Sequence, residues 1–282
     1  MTNNLLEDIK FKVFKSGNPV FSYIGINALI FVVISLASVI AFFTGNKGVV
    51  DDLVNEYAAF PTATNLWLTR FYTIITYQFF HRDFFHILFN MLWLFWMGQI
   101  FIDFLKPRQF HFVYFGGGIL GAVFAALIYH TIPVFTTQAN HTFIIGSSAA
   151  VMSIFAAAAT LVPDYSIRLM FLGNVKIKYL LLVFILLDLI GTTSANAGGN
   201  LAHLGGLLFG FTYIKILKSG TDISAIFKKK PKLKVVKNEA PRRASNMVNQ
   251  HEVDAILDKI SKTGYDKLSK EEKETLFKAS KN

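Results

Sequence analysis

Between Phe21 and Ile216 the chain carries six apolar stretches almost free of charge, at about 21–43, 84–105, 110–132, 148–162, 177–192 and 200–216. This feature limits the fold more than any other. A helix needs roughly 20 apolar residues to cross the hydrocarbon core, and in lipid every backbone polar group must find its partner within helices or a closed barrel. Charged residues make up only 16% of the chain, against about 25% in a soluble domain. Residues 1–218 hold 13 Lys/Arg and 9 Asp/Glu of the chain's 28 and 18, which leaves 15 and 9 for residues 219–282. The expected architecture is therefore an all-α membrane protein, a six-transmembrane-helix bundle with a polar C-terminal tail.

Four segments follow from this pattern. Residues 1–20 read as a cytoplasmic N-terminal segment and 21–218 as the membrane domain. Residues 219–250 read as a basic linker and 251–282 as a small helical cytoplasmic tail. The apolar run from Phe21 is followed by no small-residue cleavage site, so it reads as a retained helix. Residues 44–80 combine Asp51, Asp52 and Glu56 with Trp67 and several other aromatics, which suits an interfacial, partly inserted loop.

Six spans place both termini on one side of the membrane. The loops on that side hold Lys106, Arg108, Arg168, Lys176 and Lys178, with Lys10, Lys12 and Lys15 ahead of the first span; opposite are Lys47, Arg70 and Arg82. The positive-inside rule then puts both termini in the cytoplasm. The expected location is a prokaryotic plasma (inner) membrane. The net charge of +10, six units of it from the tail (15 − 9), points to membrane lipids and not to nucleic acid.

In the tail, Lys228-Lys229-Lys230-Pro231-Lys232 and Arg242-Arg243 form the basic linker. Val253, Ile256, Leu257 and Ile260 then recur at helical spacing. Ser269 precedes Glu272 by three residues as an N-cap would, so a helical hairpin is expected, with a surface for a cytoplasmic partner.

The chain has no cysteine, which excludes disulfides, thiolate metal sites and a cysteine nucleophile. His81 and His86 are five apart with no Glu between them, unlike the zinc-protease pattern. No metal and no cofactor is expected.

Polar groups inside a span are costly and mark interior faces or wet cavities. His86 and Asn90 share a face of the second span, Gly146-Ser147-Ser148-Ala149 opens the fourth, and His203 sits in the sixth. Each has an ordinary structural reading: a packing histidine, an asparagine bonding between helices, serines capping a helix. Gly199, Ala202, Gly206 and Gly210 form a small-residue stripe that suits close helix packing. Asp188, near the end of the fifth span, reads as a solvated or hydrogen-bonded structural residue.

Together these groups have another reading. The stripe would bring His203 against the Ser- and Ala-rich fourth helix, at a depth similar to Ser148. A serine within reach of a histidine is the minimum for an activated nucleophile. His86 and Asn90 enter from the same side and supply hydrogen-bond donors for an oxyanion.

From about Tyr72 to Gly210 the chain resembles the rhomboid intramembrane serine proteases. The resemblance rests on Thr76-Tyr77-Gln78-Phe79-Phe80-His81, His86-Ile87-Leu88-Phe89-Asn90-Met91, Gly146-Ser147-Ser148, Ala202-His203-Leu204-Gly205-Gly206 and Gly210, in this order. It implies a Ser148 nucleophile, a His203 base, and an oxyanion hole from Asn90, His86 and the Ser148 backbone N–H. It implies transmembrane protein substrates cut near the non-cytoplasmic face, and a structural role for His81 in holding the loop after the first span. Asp188 has no counterpart in the family's dyad. Met152 replaces an aromatic that in some members stacks on the catalytic histidine, so the resemblance implies a differently held ring at His203.

Two rival readings remain: an inactive rhomboid-like protein that binds membrane clients, and a transporter or channel with a histidine proton relay. Retention of Ser148, His203, His86 and Asn90 weighs against the first. The second lacks a paired internal repeat and a line of acidic residues.

Overall fold

The computed structural model describes residues 5–169, 173–227 and 249–280. The chain divides into two units, Met1–Lys229 and Lys230–Asn282.

The first unit opens with α1 (Leu5–Phe14), inside the expected N-terminal segment 1–20, followed by α2 (Pro19–Phe43). Asn18 caps α2 by accepting from the Val20 N–H at 2.9 Å, and Pro19 takes the first helical position, where its missing N–H costs nothing. Leu29, Val32, Val33, Leu36 and Ile40 each leave half or more of their surface outside. An apolar face of this extent suits contact with lipid.

The loop predicted over 44–80 is folded. It holds α3 (Val49–Tyr57), β1 (Phe60–Pro61) and the single turn α4 (Thr73–Thr76). Thr62 Oγ1 donates to the Ala139 carbonyl at 2.6 Å and Trp67 Nε1 to the Pro61 carbonyl at 3.0 Å. Leu68 and Phe71 remain largely exposed.

Then come α5 (Phe84–Phe104), α6 (Pro107–Thr131), the turn α7 (Pro133–Thr136), β2 (Phe143–Ile144) and α8 (Ser148–Leu161). Strand β2 pairs antiparallel with β1, Phe60 opposite Ile144. A hairpin of β3 (Ser166–Leu169) and β4 (Gly173–Lys176) leads into α9 (Ile177–Gly191) and α10 (Ala197–Lys218). Sequence periodicity does not suggest this hairpin; the alternation of Ser, Ile, Arg and Leu over Ser166–Leu169, which pairs with Gly173–Lys176, is the signal it leaves.

Helices α2, α5, α6 and α10 are long and apolar enough to cross a membrane. Helices α8 and α9, the predicted fourth and fifth spans, have 14 and 15 residues. At 1.5 Å per residue α8 is about 21 Å long, shorter than the hydrocarbon core. Its residues from Ala149 to Ala159 are all buried, so it is a central helix enclosed by its neighbours.

Small residues set that enclosure. A Cβ added to Gly206 would lie 2.1 Å from the Ala149 carbonyl oxygen, and one at Gly210 would lie 2.0 Å from that of Ser153. One at Gly121 would lie 2.5 Å from the Ala202 carbonyl oxygen and 2.7 Å from the Ala149 Cβ. Helices α8 and α10 therefore run parallel in near backbone contact, with α6 antiparallel to both. The expected stripe divides along its length. Gly206 and Gly210 meet α8, Ala202 is buried beside Ala149, and Gly199 lines a cavity.

Helix α10 begins nine residues before Gly206 (206 − 197), whereas α8 begins one residue before Ala149. Ser148 is thus sunk about 12 Å below the start of α10.

The first unit continues past the boundary read at Lys218. Asp222 pairs with Arg108 at 2.6 Å and accepts from the Ser224 hydroxyl at 2.6 Å and the Tyr213 hydroxyl at 3.2 Å. Lys218 Nζ donates to the Thr160 carbonyl at 2.7 Å, at the C-terminal end of α8. These contacts gather at the end of the bundle opposite Ser148.

The second unit contains α11 (Gln250–Thr263) and α12 (Lys270–Ala279). Ser269 Oγ accepts from the Glu272 N–H at 3.2 Å, and Glu272 accepts from the Ser269 N–H at 2.7 Å, a reciprocal cap. Ile256 and Leu268 are buried between the helices, and Lys259 pairs with Glu272 at 2.7 Å. Leu257 is half exposed, so the inner face is narrower than the periodicity suggested. Both basic clusters of the predicted linker fall outside the described residues.

Candidate active site

The turn into α8 is built around Gly146, whose φ of +125° favours glycine. A Cβ there would lie 2.7 Å from His86 Nε2 and 3.6 Å from Ser148 Oγ, so the space belongs to those two groups. The Gly146 N–H donates to the Tyr77 carbonyl at 2.9 Å, and the Tyr77 hydroxyl donates to the Gly118 carbonyl at 2.6 Å. The 76–81 segment is thereby tied both to the turn and to α6.

Ser147 and Ser148 have different fates. Ser147 is wholly buried. Its N–H donates to His81 Nε2 at 3.4 Å, and its Oγ lies 3.1 Å from the same nitrogen. The backbone N–H can only donate, so Nε2 is the acceptor and the Ser147 hydroxyl donates to it. Ser147 makes no side-chain cap on α8. Ser148 is the first residue of α8, half-buried and facing a cavity. Its backbone N–H is among those that a helix start leaves without an internal partner.

His81 is buried, and desolvation, followed by the neighbouring His86, lowers its pKa from 6.5 to about 3. The unfolded chain then binds a proton between about pH 6.5 and about 3 that the folded one refuses. Stability is accordingly full above pH 6.5 and falls with acidification, by up to about 1.4 kcal/mol per pH unit in that window. His81→Gln, which offers Ser147 an acceptor but cannot titrate, is expected to show a shallower loss of melting temperature between pH 7 and 4. Equal slopes for both proteins would contradict this account of the loop.

Asp83 sets the start of α5 by accepting from the His86 N–H at 2.9 Å. That places His86 in the first turn and Asn90 one turn on, both lining the cavity. Asn90 Nδ2 donates to the His86 carbonyl at 2.8 Å, which leaves its second amide hydrogen for another acceptor. The His86 and His81 rings meet edge to face with centroids 5.0 Å apart.

From the other wall, His203 Nδ1 lies 2.7 Å from Asp188 Oδ1. Asp188 is 5% exposed, so of the two roles read from the sequence, solvated or hydrogen-bonded, the structure has the second: its carboxylate is buried against the histidine. A carboxylate accepts, hence Nδ1 carries a proton, and in the neutral ring Nε2 is the bare nitrogen. Asn200 Nδ2 donates to the Gly191 carbonyl at 2.7 Å and clamps α9 to α10.

Ser148, His203, Asp188, His86 and Asn90 all line one cavity of about 840 Å³. Its apolar wall includes Phe85, Phe89, Trp93, Val151, Met152, Phe184 and Leu187. Among the described residues no hydrogen bond joins Ser148 Oγ to His203. Among them, too, no three His, Cys, Asp or Glu side chains gather as a metal site.

The Rhomboid domain family matches residues 68–220, which is 153 of the chain's 282 residues. The chain belongs to the rhomboid family. Residues 243–282 match a second family, DUF6576, whose function is unknown. No curated protein matches the chain. In this rhomboid, Met152 is buried one turn beyond Ser148, and the bond to Asp188 restrains the His203 ring.

The sequence reading gave Asp188 a structural role apart from the Ser148–His203 pair, although its spacing carried a signal. Ile177, Leu180, Phe184 and Asp188 recur at three- and four-residue intervals, which puts the acid on the inward stripe of α9.

Proposed function

We propose that this rhomboid is an intramembrane serine endopeptidase acting through Ser148 and His203. The observation that carries the reading is the convergence of a helix-start serine, a histidine whose Nδ1 faces a carboxylate, and the polar side chains of His86 and Asn90 in one recessed cavity. The Ser148 Oγ–H proton passes to His203 Nε2 while Oγ attacks the scissile carbonyl carbon. The displaced carbonyl electron pair forms an oxyanion, which accepts from Asn90 Nδ2, the His86 ring and the Ser148 N–H. Collapse breaks the C–N bond, and the amine leaves with the proton from Nε2. Water entering the cavity then attacks the acyl ester, gives its proton to Nε2, and Ser148 recovers it as the C–O bond breaks.

In this reading α8 and α9 complete six spans, with both termini cytoplasmic and cleavage near the opposite face. The substrates are single-span proteins with small or helix-breaking residues near the cut. The test is purified protein in liposomes with a single-span reporter of that kind. Cleavage near the face remote from the termini is expected. Capture of the reporter with no cleavage would favour the client-binding reading.

The tail serves as an accessory in this account, with a basic linker suited to anionic lipid at about 1 kcal/mol per Lys or Arg near the surface. A chain ending at Lys229 is expected to insert and cleave at close to the full rate. One ending at Lys218 strips Arg108 of Asp222 and is expected to lose stability by about 1–3 kcal/mol. The liposome assay and melting temperatures of both truncations check this. Absence of cleavage by the inserted Lys229 truncation would make the tail part of the machinery.

A further inference from the structure

Three observations single out Asp188. Its Oδ1 lies 2.7 Å from His203 Nδ1. Its carboxylate is 5% exposed, and Oδ2 has no partner among the described residues. It lines the same cavity as Ser148. An ionised carboxylate buried with one oxygen unpaired is costly unless a positive charge develops against it. A neutral side chain would tie α9 to α10 without that cost. Arg82, Asp83 and His86 also line the cavity, but among the described residues none of them hydrogen-bonds His203.

We infer that Asp188 is a positioning residue for the His203 base, so that this chain works as a Ser–His–Asp unit. The inference rests on the protease reading above. The carboxylate accepts the Nδ1 hydrogen bond and fixes the ring in the tautomer whose Nε2 is free to take the Ser148 proton. When that proton arrives the ring becomes an imidazolium, and the ionised carboxylate stabilises it at hydrogen-bond distance, where the low dielectric of a buried site strengthens the attraction. Asp188 itself takes up no proton at any step. The bond spans α9 and α10, so it also holds the ring plane against rotation, alongside the Asn200–Gly191 clamp.

The isosteric variant separates this role from a tether. Asp188→Asn keeps a hydrogen bond to His203 but removes the charge: an amide that donates to Nδ1 puts the ring proton on Nε2, the wrong tautomer for a base, and one that accepts from Nδ1–H leaves the imidazolium without its counter-charge. In full-length protein in liposomes, kcat is expected to fall by about 10²–10⁴-fold. KM and the melting temperature should stay close to those of the wild type. Labelling of Ser148 by a fluorophosphonate should slow in parallel, since the probe needs the same base. Asp188→Glu retains the charge and is expected to keep more of the rate than Asp188→Asn, with both rates taken per folded protein. Near-wild-type turnover by Asp188→Asn, with wild type cleaving and labelled at Ser148, would reduce Asp188 to a tether and overturn the inference alone. So would a faster Asn than Glu variant. Wild type that neither cleaves nor labels at Ser148 would overturn the protease reading, and this inference with it.

Discussion

Ser148→Ala is expected to lower turnover by on the order of 10⁶-fold, with little change in melting temperature. Oγ of Ser148 makes no hydrogen bond among the described residues, so nothing buried loses a partner. His203→Ala should be as damaging to the rate, because members of a catalytic unit are grossly non-additive, and the double variant should be no worse in rate than either single one. The two differ in stability. Removing His203 leaves the Asp188 carboxylate buried without its partner, and breaking a buried pair costs roughly 3–5 kcal/mol. Ser147→Ala reverses the pattern: it removes a hydrogen-bond partner of buried His81, costing about 1–3 kcal/mol, while substantial activity remains. Cleavage rates paired with melting temperatures in one detergent or lipid check all four variants. A dead Ser147→Ala beside an active Ser148→Ala would move the nucleophile by one residue.

Asn90→Ala is expected to lower kcat by about 10²–10³-fold, the typical loss for one oxyanion donor, with a smaller change in KM. Asn90 is buried at the cavity wall, with one amide hydrogen on the His86 carbonyl and the other available to a developing charge. Its loss leaves the proposed base and nucleophile, His203 and Ser148, in place, so the effect should be graded and not total. An unchanged turnover number in liposomes would remove Asn90 from the mechanism.

Much of this organisation is legible in the residues because the forces behind it are local or compositional. Apolar length marks α2, α5, α6 and α10 in their expected places. Gly206 and Gly210 can be read as a packing stripe, since only residues without bulk allow backbones to approach as α8 and α10 do. The Ser269–Glu272 cap is a short-range device, and it marks the start of α12 within one turn. What escaped depends on contacts distant in sequence. Asp188 and His203 are fifteen residues apart on different helices, and nothing in either local sequence fixes how α9 turns against α10. The extension of the first unit to Asp222 and Ser224 has the same cause: Arg108, which Asp222 meets, lies 114 residues away. Ser147 and Ser148 are equivalent by composition, and His81 separates them by holding one inside and leaving the other to the cavity.

The central claim is that Ser148 is the nucleophile that His203 activates. The most direct measurement is fluorophosphonate labelling of the full-length protein in liposomes, with the modified peptide mapped to a residue. Covalent modification of Ser148, absent in Ser148→Ala and strongly slowed in His203→Ala, is the predicted result. No labelling of Ser148 in protein that cleaves the reporter, or equal labelling with His203 removed, would contradict it.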